Sequence, residues 1–159
     1  SIADQIEISY IFPRSEEVYI KNKNRLLEAD VVFRAISIPK SDISDDLPNM
    51  IPSDKLYIIG YKNYGSSNGI IYSHRNSEDY FEQAITLDDT VLRNNQKLSD
   101  IYGEHYINMI GAVQNEDGSV RVFTDDHYFI SQDCRHLTQY GAQYYARIID
   151  LSWIIKKKR

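Results

Sequence analysis

An aspartate and a histidine stand three residues apart near the end of the chain, in the segment SQDCRHLTQYGAQYYA from Ser131 to Ala146. An imidazole can take a proton from a serine hydroxyl through Nε2 while a carboxylate accepts its Nδ1 proton, as in a catalytic triad. Asp133 and His136 have the residue types and the spacing for this chemistry. The same spacing also suits a polar loop that only caps and ties down the following helix, so spacing alone leaves both interpretations open.

Two further acidic residues and a histidine lie just upstream, and together with the pair they resemble a set of metal ligands. Asp125, Asp126 and His127 would combine with Asp133 and His136 as oxygen and imidazole donors. Adjacent residues on an extended segment point to opposite faces, so Asp125 and Asp126 cannot easily share one ion. We therefore predict no metal site here.

Apolar, β-rich segments alternate along the chain with helix-like segments, a pattern typical of an α/β protein with a parallel sheet wrapped by helices. The predicted strands are 6–12, 30–38, 55–61 and 105–113. A helix is predicted to start after Ser15 and to continue through Leu27, and a short helix with a loop is predicted within 41–50. A turn at Asp117-Gly118 should precede a short ribbon at 119–123.

Two helices are predicted in the second half of the chain. The first has a capping box of Thr86 and Asp89 and ends at Gly103. The second starts after the N-cap residue Thr138 and is expected to run as one helix to the end of the chain. One side of it is formed by Ala142, Tyr145, Ala146, Ile149 and Trp153, and the basic residues 156–159 form a solvated tail. The Asp133–His136 pair therefore lies in the loop between the last predicted strand and the last helix. This loop is expected at the carboxyl end of the parallel sheet, where ligands collect.

Composition narrows the classes of function. The 159 residues suit one domain, and the net charge of −5 without a basic stripe argues against a nucleic-acid partner. The single cysteine, Cys134, excludes an internal disulfide, and no apolar run approaches the roughly 20 residues of a transmembrane segment. Tyrosine is abundant, at 13 residues, and we interpret the rings as half-buried sheet and helix residues, although such rings can stack on saccharides.

The segment DCRHLTQYGAQYYA resembles the fifth conserved block of the SGNH hydrolases, in which Asp-x-x-His is followed by Leu-Ser/Thr and then Gly-Ala. It is most similar to the SGNH domains of bacterial acyltransferases that modify surface polysaccharides, which have parallels to DDHYFISQDCRHLTQYGA and GYKNYG. The resemblance extends from about Asp30 onward and is strongest from Thr124 to Ala146. It implies a flavodoxin-like three-layer α/β/α sandwich with a mostly parallel sheet. In it, Asp133 would be the orienting acid and His136 the general base.

The sequence departs from the family pattern at two places. The family takes its nucleophile from a Gly-Asp-Ser turn after the first strand, and no such tripeptide occurs in the chain. The family's third block has an asparagine that donates to the oxyanion, where this chain has Ser37, Pro39, Lys40 and Ser41. The related polysaccharide enzymes often lack that asparagine, so the missing serine is the more important departure.

The number and order of the predicted strands can account for the missing serine. The four predicted strands match the second to fifth strands of a sheet with order 2-1-3-4-5, whose central first strand precedes the nucleophile. Without its centre the sheet would have two unpaired edges in apolar surroundings. We therefore expect residues ahead of Ser1, or a second polypeptide, to supply a strand between 6–12 and 30–38 together with the serine. The alternative is that Ser1 itself is the nucleophile.

The resemblance implies that residues 1–159 form an SGNH-like domain for serine-dependent O-acyl transfer or ester hydrolysis on a bacterial surface polysaccharide. No cofactor is expected in the chain, but the full system would use an acyl donor, such as acetyl-CoA or an acyl carrier, and a carbohydrate acceptor. The alternative is a non-catalytic SGNH-like domain that binds or assembles glycan. The sequence does not decide between the bacterial cytoplasm and the periplasmic side of the inner membrane.

Overall fold

The computed structural model describes residues 16–36, 47–63, 74–133 and 135–157. These residues belong to two compact units, 16–32 with 47–56 and 33–36 with 57–63, 74–133 and 135–157. The predicted strand 6–12 and the last two residues of GYKNYG, at 64 and 65, lie outside the described residues. Within the described ranges, every helix is too short or too polar to cross a membrane.

The first unit contains two helices. Helix α1 spans Glu16–Glu28 and helix α2 spans Leu47–Met50, which confirms the helix predicted after Ser15 and the short helix predicted within 41–50. Lys55 Nζ donates to the Leu27 carbonyl at 3.0 Å, so the end of α1 is held by a charge-assisted hydrogen bond. Cations are favourable at this end of a helix because its carbonyls carry partial negative charge.

The strands among the described residues are β1 Val32–Ala35, β2 Leu56–Ile59, β3 Ala84–Ile85, β4 Tyr106–Ile107 and β5 Val120–Arg121. Three of them form a mostly parallel sheet of order β1-β2-β4, in which Ile58 of β2 is opposite Tyr106 of β4 in a parallel pair. Leu56, Tyr57 and Ile58 are all buried, as expected of a parallel strand covered on both faces. The predicted α/β class with a mostly parallel sheet is therefore confirmed.

The strand predicted at 105–113 is much shorter than expected. Strand β4 ends at Ile107, and a 3-10 helix follows at Gly111–Val113. The Asn108 side chain accepts from the Gly111 N–H at 2.8 Å, and the Asn108 carbonyl accepts from Ala112 N–H at 3.2 Å. Asparagine competes for nearby backbone groups in this way, so it ends the strand by starting a turn.

Helix α3, Asp89–Tyr102, confirms the helix predicted to end at Gly103, which has a positive φ of 52°. The predicted cap is wrong, because the Asp88 carboxylate, and not Thr86, accepts from the Thr90 N–H at 2.7 Å. A buried polar chain links the helix to β4: Tyr106 donates to Asn95 Oδ1 at 2.7 Å. Burial raises the pKa of the Tyr106 hydroxyl, which therefore stays protonated and available as a donor.

The last helix was predicted to be continuous and is instead divided. Helix α4 spans Gln139–Ile148 and helix α5 spans Ser152–Lys157. Ile149 has extended backbone angles, and the Asp150 carboxylate accepts from the Ser152 N–H at 2.8 Å. An aspartate in this position satisfies a free N–H at a new helix start, so one helix ends and a second begins here.

A second, antiparallel sheet consists of β3 and β5, with Ala84 opposite Arg121. Strand β5 lies in the predicted ribbon 119–123, after a turn in which Gly118 has a positive φ of 85°. Its partner β3 was not predicted from the sequence. This small sheet leads directly into the segment that carries the candidate site.

Candidate functional site

The segment from Phe123 to Thr138 folds back on itself before helix α4. Two isolated antiparallel bridges join its strands of backbone, one between Phe123 and Phe129 and one between Ser131 and Leu137. At its end, Thr138 N–H donates to the Ile130 carbonyl at 3.0 Å. We call residues 130–138 the dyad loop, because Asp133 and His136 lie within it.

Thr138 connects the dyad loop to helix α4. Its hydroxyl accepts from the Gly141 N–H at 2.9 Å, which confirms Thr138 as the N-cap. The same hydroxyl donates to the Phe129 carbonyl at 2.5 Å. One side chain therefore satisfies the helix start and holds the backbone at the entrance of the dyad loop.

Gly141 explains how closely the helix approaches that loop. A Cβ atom added at Gly141 would lie 2.8 Å from the carbonyl carbon of Ile130 and 2.9 Å from its Cα. Such distances are shorter than van der Waals contact, and the obstructing atoms belong to the backbone. The first turn of α4 can pack against Ile130 only because residue 141 has no side chain.

Within the dyad loop, Asp133 and His136 form a direct pair. His136 Nδ1 lies 2.5 Å from Asp133 Oδ2. The other carboxylate oxygen, Oδ1, accepts from the backbone N–H of His136 at 2.7 Å and of Arg135 at 3.1 Å, and the Ser131 hydroxyl lies 3.5 Å from it. One carboxylate thus organises the turn and contacts the imidazole ring, so the loop-capping contacts are present and the geometry is compatible with the triad interpretation.

These hydrogen bonds stabilise the charged form of Asp133. The His136 backbone N–H first, and then the His136 ring and the Arg135 N–H, hold the pKa of the carboxyl well below its usual range. Because the pKa is lowered in the folded state, the stability that these hydrogen bonds contribute is fully present above the usual carboxyl pKa of about 3.9. They are lost only as the pH falls through the lowered value. Asp133 is therefore an anion whenever His136 could act as a base.

The imidazole edge that would do the chemistry is open to solvent. The His136 side chain is 85% exposed and that of Asp133 is 50% exposed. Within the described ranges, His136 makes its hydrogen bonds through its backbone N–H and Nδ1. When Nδ1 carries the ring proton, Nε2 can accept a proton from another group, and no hydroxyl of the described residues forms a hydrogen bond with it.

The other residues that the sequence placed with this pair have different partners. Asp125 forms an ion pair with Arg121 at 2.7 Å, and Asp126 lies 3.4 Å from Arg147. His127 stacks on Phe81 with ring centroids 4.1 Å apart. Across residues 16–36, 47–63, 74–133 and 135–157, no group of three or more His, Cys, Asp and Glu side chains is arranged to hold a metal ion.

The same region contains a stacked pair of tyrosines that was not predicted from the sequence. Tyr128 and Tyr140 stack with centroids 3.8 Å apart and an interplanar angle of 10°, and each remains 45% exposed. They line a cavity of about 470 Å³. The abundance of tyrosine was a signal, but the rings were interpreted as half-buried packing residues.

No protein-family model, no curated protein and no solved structure matches this chain.

Proposed function

We propose that the protein catalyses serine-dependent O-acyl transfer or ester hydrolysis on a bacterial surface polysaccharide. The observation that supports this most directly is the Asp133–His136 contact of 2.5 Å, with the Nε2 edge of the ring exposed. An imidazole oriented by an ionised carboxylate and open on its other edge is what activation of a serine hydroxyl requires.

The proposed chemistry proceeds in two steps through an acyl-enzyme. His136 Nε2 takes the proton of the serine hydroxyl while the serine Oγ forms a bond to the acyl carbonyl carbon. The bond to the donor's leaving group then breaks, and the imidazolium returns the proton to that group. In the second step a sugar hydroxyl or water attacks the acyl-serine, with His136 accepting its proton and then giving it to the serine. Asp133 stabilises the imidazolium in both steps.

We further propose a flavodoxin-like SGNH arrangement in which the nucleophile comes from outside residues 1–159. The order β1-β2-β4 is consistent with the last three strands of a 2-1-3-4-5 sheet. A strand supplied by residues ahead of Ser1, or by a second polypeptide, would pair with the outer edge of β1 and carry the serine at its carboxyl end. That strand would also pair with backbone groups along the edge of β1 that faces away from β2.

A non-catalytic SGNH-like domain that binds or assembles glycan is the second candidate. The observation that favours it is that the described residues place no serine hydroxyl at Nε2 of His136. In such a domain the Asp133 hydrogen bonds would serve only to fix the dyad loop.

Ester hydrolysis separates the two candidates. A form of the protein that carries residues ahead of Ser1 is expected to hydrolyse p-nitrophenyl acetate, because it would supply the serine. The 159-residue chain alone is expected to be inactive, and it serves as the matched control. Inactivity of every longer form, and of the chain mixed with a co-encoded partner, would favour the non-catalytic domain. Turnover by the 159-residue chain would instead place the nucleophile within it and make Ser1 the first candidate.

A further inference from the structure

The stacked tyrosines form one wall of a cavity that also has polar walls. We call it the tyrosine cavity; it is an open depression with a volume of about 470 Å³. Besides the two rings, its main polar lining consists of Asp126, Gln143 and Arg147. Neither Asp133 nor His136 lines it, so it is separate from the candidate catalytic pair.

The aromatic wall is held in place by backbone contacts on both sides. Tyr128 is fixed by a tight turn in which Thr124 N–H donates to the Tyr128 carbonyl at 2.8 Å, and Tyr128 N–H donates to Thr124 Oγ1 at 3.2 Å. Tyr140 lies in the first turn of α4, directly after the Thr138 cap. Because both backbones are anchored, a ligand that packs on the rings meets a preorganised surface and pays little ordering entropy.

The stacked geometry favours a flat apolar ligand face. Stacking covers one face of each ring, and at 45% exposure each tyrosine still presents apolar surface to solvent. The face of an aromatic ring carries partial negative charge, so it attracts the weakly positive C–H bonds that line one face of a sugar ring. A saccharide can therefore cover the rings and still keep its hydroxyl groups at the rim.

The polar wall matches hydroxyl groups better than it matches an anion. Asp126 accepts, Arg147 donates and the Gln143 amide does both, which suits groups that donate and accept at once. Arg147 already lies 3.4 Å from Asp126, so its charge is largely balanced within the cavity. The chain also has a net charge of −5, which further disfavours phosphate and other anions.

From this combination we propose that the tyrosine cavity is a binding subsite for a neutral sugar ring, seated on the Tyr128–Tyr140 pair. The proposal does not depend on catalysis, since the lining residues differ from the Asp133–His136 pair. In a transferase the subsite would hold the carbohydrate next to the dyad loop, because Thr138 anchors that loop and also caps the helix of Tyr140. In a non-catalytic domain it would be the binding site itself.

Titration of the 159-residue chain with soluble oligosaccharides tests the proposal. Maltotriose, cellotriose and chitotriose would be added to the isotopically labelled chain while amide shifts are recorded by NMR. We expect saturable, millimolar binding of at least one of these sugars, with shifts centred on Tyr128, Tyr140 and Arg147. Tyr140→Ala should weaken it about tenfold, as expected for the loss of one stacking contact. Tyr140→Phe should retain it, because the ring is kept.

The controls separate binding from folding. Ile101→Ala removes an exposed apolar side chain from α3 and should leave the affinity unchanged. An unaltered spectrum of Tyr140→Phe would show that the fold tolerates change at this position. No binding of any of the three sugars would overturn the proposal, and so would preferred binding of adenosine or equal affinity in Tyr140→Ala.

Discussion

Replacing His136 with alanine is expected to lower ester turnover by about 10⁶-fold in a form of the protein that carries the serine. The expectation follows from the 2.5 Å contact between His136 Nδ1 and Asp133 Oδ2, which leaves Nε2 as the proposed base. Without the imidazole, no group remains to take the serine proton or to return it to the leaving group. Substrate binding should be little affected, so the loss should appear in kcat more than in KM.

Replacing Asp133 with asparagine should have a smaller effect that still exceeds about tenfold. An amide keeps the acceptor oxygen that the His136 and Arg135 N–H groups need, but it cannot stabilise an imidazolium. Asp125→Asn is the matched control, because Asp125 is an exposed carboxylate of the same segment whose partner is Arg121. Full activity in His136→Ala, or equal losses in Asp133→Asn and Asp125→Asn, would end the catalytic assignment.

Replacing Gly141 with alanine is expected to destabilise the fold, although alanine is the better helix former. The propensity gain is about 1 kcal/mol, while forced overlap in a packed region costs about 1–3 kcal/mol or more. The added methyl group would meet the carbonyl carbon and Cα of Ile130, and backbone atoms cannot rotate away as a side chain can. Relief requires either the first turn of α4 or the dyad loop to move, so activity should fall together with stability.

Urea unfolding of the 159-residue chain measures the loss of stability in Gly141→Ala. NMR of the His136 ring reports whether the dyad loop has moved. Ala142→Gly is a suitable control, since residue 142 is exposed in the same helical turn and should cost only the propensity difference of about 1 kcal/mol. In that variant the His136 signals should be unchanged. A Gly141→Ala protein that is more stable than the wild type, with unchanged His136 signals, would show that α4 does not press on Ile130.

Local patterns predicted those elements in which neighbouring residues alone decide the structure. The continuous apolar run of β2 could only be a covered strand or a buried helix, and its length favoured a strand. Thr138 was recognisable as a cap because its hydroxyl serves an N–H of the next turn. The pairing of Asp133 with His136 also depends on a local turn, so the sequence could propose it, although the spacing alone did not distinguish it from a loop that only caps the helix.

Predictions from the sequence failed where a polar side chain interrupted a regular apolar pattern, or where residues distant in the sequence came together. Asn108 ends β4 and Asp150 starts a new helix, although apolar residues on both sides continued the predicted periodicity. Strand β3 is only two residues long and depends on its partner β5, so it has no sequence pattern of its own. The Tyr128–Tyr140 stack joins residues on opposite sides of the dyad loop, and only the folded chain places them face to face.

Fluorophosphonate labelling, read by mass spectrometry, tests most directly whether the Asp133–His136 pair activates a serine. A form of the protein with residues ahead of Ser1, or the chain together with its partner, should be labelled stoichiometrically on one serine outside residues 1–159. The same preparation carrying His136→Ala should react far more slowly, since a serine without its base is a poor nucleophile. Absence of labelling in every preparation, or labelling at the same rate in His136→Ala, would contradict the assignment of His136 as the general base.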